Sequence, residues 1–353
     1  MVLEWMDNYP NCVQTVKFDD FWARSRFNGI IHGLDLEDQV RQSFSEMELG
    51  GGFVSFLAYR FGNKTIGSLA VFKDPWYRSA GRETVACFGL VTALDADTLA
   101  RLVEAARDIA EKAGCTALRG PVNVPRILFG YGIQVSGFGL PVIAGTSFNT
   151  RNDAYAFFEL ESDDYFDHTD KYYNFSQDFG KTRAYIDAIK LDRSFRVVNP
   201  DLDNPGDIAG RVADMMNHLL VYRPDYQLAT AVRLVTAAKA YKLVPHGEKL
   251  LAFYFDGDVL AGGVIMQPDW FQVFAGARVT GVIGEIYMLE PAYQGRKLML
   301  NFAEYSEQVL KDLVATHYEH ASIWAESDKA LSTVKVGYNA IIKEFRVYEV
   351  IIR

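Results

Sequence analysis

Between Val279 and Leu313 the hydrophobic pattern changes period once. Val279, Val282, Ile283, Ile286 and Met288 form an alternating, β-branched run that predicts a strand, broken at Glu290-Pro291. Beyond the break, Leu298, Met299, Phe302, Tyr305, Val309 and Leu313 recur at three- and four-residue spacing. That spacing predicts a helix from about Lys297 with one face on a sheet, and its free N-terminal amides would make an anion site in the connecting loop. Leu250 to Phe255 and Val259 to Met266, joined at Asp256-Gly257-Asp258, read as a β-hairpin before this strand. Glu319 to Ala325 reads as a further strand after the helix.

The same order of elements occurs earlier. Asp35 to Met47 reads as a helix closed by Gly50-Gly51-Gly52, and Phe53 to Tyr59 with Thr65 to Phe72 as a hairpin. Thr84 to Thr92 is a third strand, and Asp95 or Asp97 caps a helix that ends at Gly114. Thr116 to Asn123 follows. Two copies of one α/β architecture are expected, each an α+β mixed sheet flanked by helices. The acidic, aromatic stretch Glu161 to Gly180 has little periodicity, Thr182 to Leu191 reads as a closing strand, and Phe195 to Val198 opens the second copy. Asp207 to Leu220 then reads as an amphipathic helix. The division is placed at residues 1–192 and 193–353.

The chain has 353 residues, 49% of them apolar, enough for two full cores. Its formal net charge of −9 argues against a nucleic-acid backbone as partner. Cys12, Cys87 and Cys115 are widely spaced, and the six histidines lack metal-ligand spacing, so neither disulfides nor a metal site is expected. A reducing cytoplasm fits this usage, and no apolar stretch suggests a signal peptide or a membrane span. A monomer or homodimer is expected.

The words Pro291-Ala292-Tyr293-Gln294-Gly295-Arg296 resemble the acyl-CoA-binding loop of the GCN5-related N-acetyltransferase (GNAT) superfamily, pattern Q/R-x-x-G-x-G/A after a strand. Lys297 and Met299 replace the two pattern glycines. Arg119-Gly120-Pro121-Val122-Asn123 and Lys343-Glu344-Phe345-Arg346-Val347-Tyr348-Glu349 are similar to words in bacterial proteins with tandem GNAT-like domains. The resemblance runs from about Phe53 to the C-terminus. It implies two tandem GNAT-like domains, with acetyl-CoA or another acyl-CoA as co-substrate and a small-molecule amine, amino acid or peptide as acceptor. Gln294, Gly295, Arg296, Lys297 and Leu298 would hold the pyrophosphate, and the strand edge at Tyr287, Met288 and Leu289 would pair with pantetheine. The first copy has Asp95 and Asp97 at the matching helix start, where they satisfy the dipole and repel phosphate.

Acyl transfer to an amine needs a base for the amine and an acid for the thiolate. Glu285 lies on the matching strand, where apolar neighbours would raise its pKa toward that of a useful base. Unbroken alternation would put it on one face with Tyr287 and Leu289. Tyr338 is the nearest phenol for the acid. Two other classes remain open: a GNAT-fold binding or regulatory module without catalysis, and an aminoacyl-tRNA-dependent transferase like the double-domain peptidoglycan-bridge enzymes.

Overall fold

The structure is a computed structural model that describes residues 11–25, 27–28, 34–189, 191–336 and 339–352. By contacts the chain divides into two compact units. The first takes the described residues of Met1–Tyr77, Arg82–Tyr172 and Lys343–Arg353, and the second Arg78–Gly81 and Tyr173–Ile342. A division near residue 192 would leave the C-terminal segment with the second copy, whereas by contacts the described residues of Lys343–Arg353 group with the first unit.

In chain order, β1 (Asn11–Val16), α1 (Phe18–Trp22) and α2 (Glu37–Leu49) precede the hairpin β2 (Phe53–Phe61) and β3 (Lys64–Lys73). Then come β4 (Tyr77–Arg78), β5 (Val85–Ala93), α3 (Ala96–Lys112), β6 (Ala117–Gly120), α4 (Arg126–Phe129), β7 (Ile133–Ser136), α5 (Arg151–Ser162) and β8 (His168–Ser176). Next are α6 (Phe179–Asp187), β9 (Arg196–Val198), α7 (Gly206–Leu220), β10 (Tyr226–Gln227), α8 (Ala231–Ala240), β11 (Leu251–Asp256), β12 (Val259–Pro268) and α9 (Trp270–Phe274). The chain closes with β13 (Gly281–Leu289), α10 (Leu298–Leu313), β14 (His317–Trp324), α11 (Asp328–Val336) and β15 (Ala340–Ile351). No helix among the described residues is long and apolar enough to cross a membrane.

In the first unit the strands run in the order β1-β2-β3-β5-β6-β15, with β7 also paired to β15. Only β5 and β6 are parallel partners among these pairs. Helix α3 buries Leu99, Leu102, Val103 and Ala106 against Leu69, Val71, Phe88 and Leu118. Asp95 caps it by accepting from the Thr98 amide. The two sequence words meet here: Arg119 on β6 stands opposite Glu349 on β15, and its guanidinium donates to Asp170 at 2.6 Å.

The second unit repeats the plan in the order β8-β14-β13-β12-β11-β9, with β13 and β14 parallel. Two expectations are corrected. Thr182 to Leu191 does not form a strand: Asp178 accepts from the Lys181 amide and starts α6, whose buried Thr182 and Ile186 lie four residues apart. The strand falls earlier, within the segment expected to be irregular, and its buried positions include polar Asp170 and Asn174. Those two residues are satisfied by Arg119 and Glu319, partners distant in sequence.

Candidate functional site

The strand, loop and helix between Gly281 and Leu313 build the site. After β13 the chain makes one 3-10 turn at Pro291–Tyr293, crosses Gly295 at φ 88°, and enters α10 through Lys297. Lys297 stands in the left-handed region at φ 59°, so the backbone follows a path natural to the glycine that the loop pattern calls for. Gln294, Gly295 and Lys297 are exposed. The amides of Lys297, Leu298 and Met299 have no hydrogen-bond partner among the described residues, and the first turn of α10 carries no acid. The side chain of Leu298 is fully buried, which leaves only its backbone to a ligand.

Arg296 is placed differently. Its guanidinium donates to Asp192 and Asp256, each at 2.8 Å, and to Ser194 Oγ, and stacks 4.5 Å from the Phe195 ring centroid. It anchors the loop to the β11–β12 hairpin and to the segment before β9. The Ser194 hydrogen bonds, with Arg296 beside them, hold the Asp192 carboxyl down at about 2.

Strands β13 and β14 pair in parallel from Gly281 opposite His317 to Gly284 opposite His320. Both strands run on, but no pair joins them beyond that point, and a fork opens with its apex at Gly284 and His320. Just past the apex β13 carries a bulge: Ile265 on β12 faces Ile286 and Met266 faces Gly284, leaving Glu285 as the extra residue. The bulge breaks the alternation. Val282 and Gly284 point to the α10 side, and so does Tyr287, whose ring lies 6.5 Å from that of Phe302. Glu285 therefore does not share a face with Tyr287 and Leu289. It is half-buried on the opposite side, where its charge acts on the buried phenol of Tyr241.

On the α10 face the apex holds a compact polar cluster. The hydroxyls of Tyr287 and Tyr318 are hydrogen-bonded to each other, over Gly284. His320 packs against both rings, at 5.3 and 5.0 Å, and its Nε2 bonds Gln177 Oε1 at 2.8 Å. Burial pushes the Tyr287 phenol up to about 12 and the imidazole down to about 4. The folded imidazole stays neutral where the unfolded one takes up a proton. Its contribution is thus present above about pH 6.5 and is lost as pH falls toward 4. On the order of 3 kcal/mol is expected to disappear across that window. Urea titrations at pH 7 and pH 4.5 should show a smaller difference for His320→Gln than for the native chain; an equal difference would place the acid sensitivity elsewhere.

In the first unit the corresponding fork is filled. The parallel pairs of β5 and β6 end at Cys87 opposite Arg119, but the next residues stay in contact. The Val122 amide donates to Phe88 O at 2.7 Å, and Asn123 Oδ1 accepts from the Leu90 amide at 2.9 Å. Asn123 Nδ2 also donates to Phe129 O and Ser147 Oγ. The word Gly120-Pro121-Val122-Asn123 thus closes the opening that the second unit keeps. Tyr338 lies outside the described residues.

No protein-family profile matches the chain, and no curated protein matches it. Solved structures match over nearly its whole length. A tandem GNAT protein from the clavulanic acid biosynthesis pathway is 12% identical, with 97% of this chain and 99% of that one covered at a TM-score of 0.51. A GCN5-related N-acetyltransferase from Sphaerobacter thermophilus is 10% identical, with 98% and 96% covered at 0.57. A GCN5-related glucosamine N-acetyltransferase region of a fungal multi-domain GH3 beta-N-acetylglucosaminidase is 12% identical, with 96% of this chain and 38% of that one covered at 0.57. At these identities the likeness shows the fold: this chain has the tandem GNAT fold.

Proposed function

We propose that the second unit binds an acyl-CoA and transfers its acyl group, acetyl in the simplest case, to the amine of a small molecule, amino acid or peptide. The observation that carries this reading is the open β13–β14 fork with the bare start of α10 at its mouth. A pyrophosphate suits the free amides of Lys297, Leu298 and Met299 and the exposed Lys297 ammonium. From there the open edge of β13 leads back five residues, from Leu289 to Gly284, a run of roughly 16 Å at the usual strand rise. An extended pantetheine arm laid along it would bring the thioester to the apex. Glu285, half-buried on the face away from α10, would take the proton of the attacking amine there. Arg296, held by two carboxylates, shapes the loop and leaves the anion to the amides and Lys297.

The GNAT fold supports acyl transfer as the class of reaction, and the activities of the matched proteins are their own. Calorimetric titration with CoA and acetyl-CoA is expected to give saturable binding, weakened at least about tenfold by Lys297→Glu, which sets a carboxylate against the pyrophosphate. No heat and no thermal shift at millimolar CoA would overturn the reading. Saturable binding without turnover on a panel of amines would favour a GNAT-fold binding module, a reading supported by the side chains of Lys297 and Met299 where the loop pattern has glycine.

A further inference from the structure

Resting on the acyl-CoA reading of the second unit, we propose that Gln267 and Trp270 select the acceptor: on the face of β12 and β13 that carries Glu285, they bind the neutral amide of an α-amino amide whose amine lies at Glu285. Gln267 stands opposite Ile283, two residues before Glu285. Its neighbour Met266 stands opposite Gly284, on the α10 side, so Gln267 and Glu285 rise together from the other face as diagonal neighbours, their roots about 7–8 Å apart. Trp270 opens α9 three residues further on. Its ring meets the Tyr241 ring edge-on at 5.3 Å, and the Tyr241 phenol is pushed up by burial and by the charge of Glu285. Tyr241 thus stays neutral and links the indole to the carboxylate.

Two polar atoms of this group have no hydrogen-bond partner among the described residues: Gln267 Oε1, an acceptor, and Trp270 Nε1, a donor. Their side chains are 4% and 2% exposed, so bulk water does not serve them. Buried polar groups are nearly always hydrogen-bonded, because an unmade bond leaves the loss of water uncompensated. The pair therefore calls for one ligand group that both donates and accepts. An ammonium offers hydrogen to Gln267 but nothing to the indole. A carboxylate accepts from the indole but has no hydrogen for Gln267. It would also stand near Glu285 and near Glu319, which lies opposite Ile283, fully buried, and is bonded to His317 and Asn174. A neutral amide carries an N–H for Gln267 and a C=O for Trp270 and adds no charge. Glu285 is the partly exposed end of the group, so the amine stops there and the amide, one carbon away, reaches inward.

The test uses the full chain loaded with CoA. The sequence has five tryptophans, so a proton–nitrogen spectrum carries five indole signals, and loss of one in Trp270→Phe identifies its own. Triple-resonance assignment serves in its place if that variant does not fold. Glycinamide is expected to move the Trp270 signal saturably, whereas glycine and ethylamine, which lack the amide, should bind at least about tenfold more weakly. Gln267→Leu keeps most of the bulk and should weaken glycinamide at least about tenfold, while CoA titration on the same variant shows that it folds. Glycyl-glycinamide separates the two sources of such an amide: binding at least as tight as glycinamide names the amino end of a peptide, and weaker binding names a free amino amide. Equal affinity for glycinamide, glycine and ethylamine, an unmoved Trp270 signal, or unchanged glycinamide affinity in Gln267→Leu would overturn the assignment and leave the two groups to internal water. Failure of the native chain to bind CoA would instead remove the acyl-CoA reading itself, and the inference with it.

Discussion

Arg119→Ala is expected to lower the stability of the first unit by about 3–5 kcal/mol, the usual consequence of removing one member of a buried ion pair. The side chain is 1% exposed. Its guanidinium lies 2.6 Å from Asp170 and 3.6 Å from Glu349, both 4% exposed, and Glu349 is shared with Arg82 at 2.6 Å. Alanine would leave two buried carboxylates competing for Arg82 and for His168, which stands 3.3 Å from Asp170. A void the size of a guanidinium would add to the loss. The two causes separate in the triple variant Arg119→Met, Asp170→Asn and Glu349→Gln, which keeps the volume and removes the charge. If uncompensated charge dominates, chemical denaturation should show the triple variant recovering more than half of the loss. A triple variant as unstable as Arg119→Ala would assign the loss to packing and hydrogen-bond geometry.

The same residues show what the sequence makes legible. Helices and hairpins are declared locally: Asp95 caps α3, and the Asp256-Gly257-Asp258 turn joins β11 and β12. The word Arg119 to Asn123 is visible as a word, but its meaning depends on Glu349 and Asp170, more than fifty residues away in each case by number. Strand β8 escapes pattern reading for a related reason, since Asp170 and Asn174 on its inner face read as solvent-facing until Arg119 and Glu319 are brought to them. The loop residues Gln294, Gly295 and Lys297 lie exposed between β13 and α10. Arg296 does not reach for an anion because Asp192 and Asp256 hold it first. The face of Glu285 depends on one inserted residue, and a bulge reverses every later side chain with no change in local composition. The Tyr287–Tyr318–His320 cluster needs that reversal to form, so periodicity alone could only describe Tyr287 as part of a strand edge.

The largest functional effect is expected from one methyl group placed at each fork. In the first unit a Cβ at Gly89 would fall on the backbone carbonyl of Val122, with the Asn123 Cα 3.3 Å away. Backbone held by the Val122 to Phe88 and Leu90 to Asn123 hydrogen bonds cannot move without breaking them. Gly89→Ala should therefore destabilise the first unit by about 3 kcal/mol or more while leaving CoA affinity unchanged below the transition. In the second unit a Cβ at Gly284 would meet the Tyr318 hydroxyl and the Tyr287 hydroxyl, the latter at 2.7 Å, and these are ends of side chains that can swing. Gly284→Ala should cost less, about 1–2 kcal/mol. The phenols can yield only by moving away from the apex, and the fork is the space next to them, so CoA affinity should fall at least about tenfold. Thermal unfolding and CoA titration on both variants would decide between the two roles. Equal loss of CoA affinity in both, or none in Gly284→Ala, would mean that the open fork of the second unit is not the cofactor cleft and that the contrast with the filled first fork has no functional content.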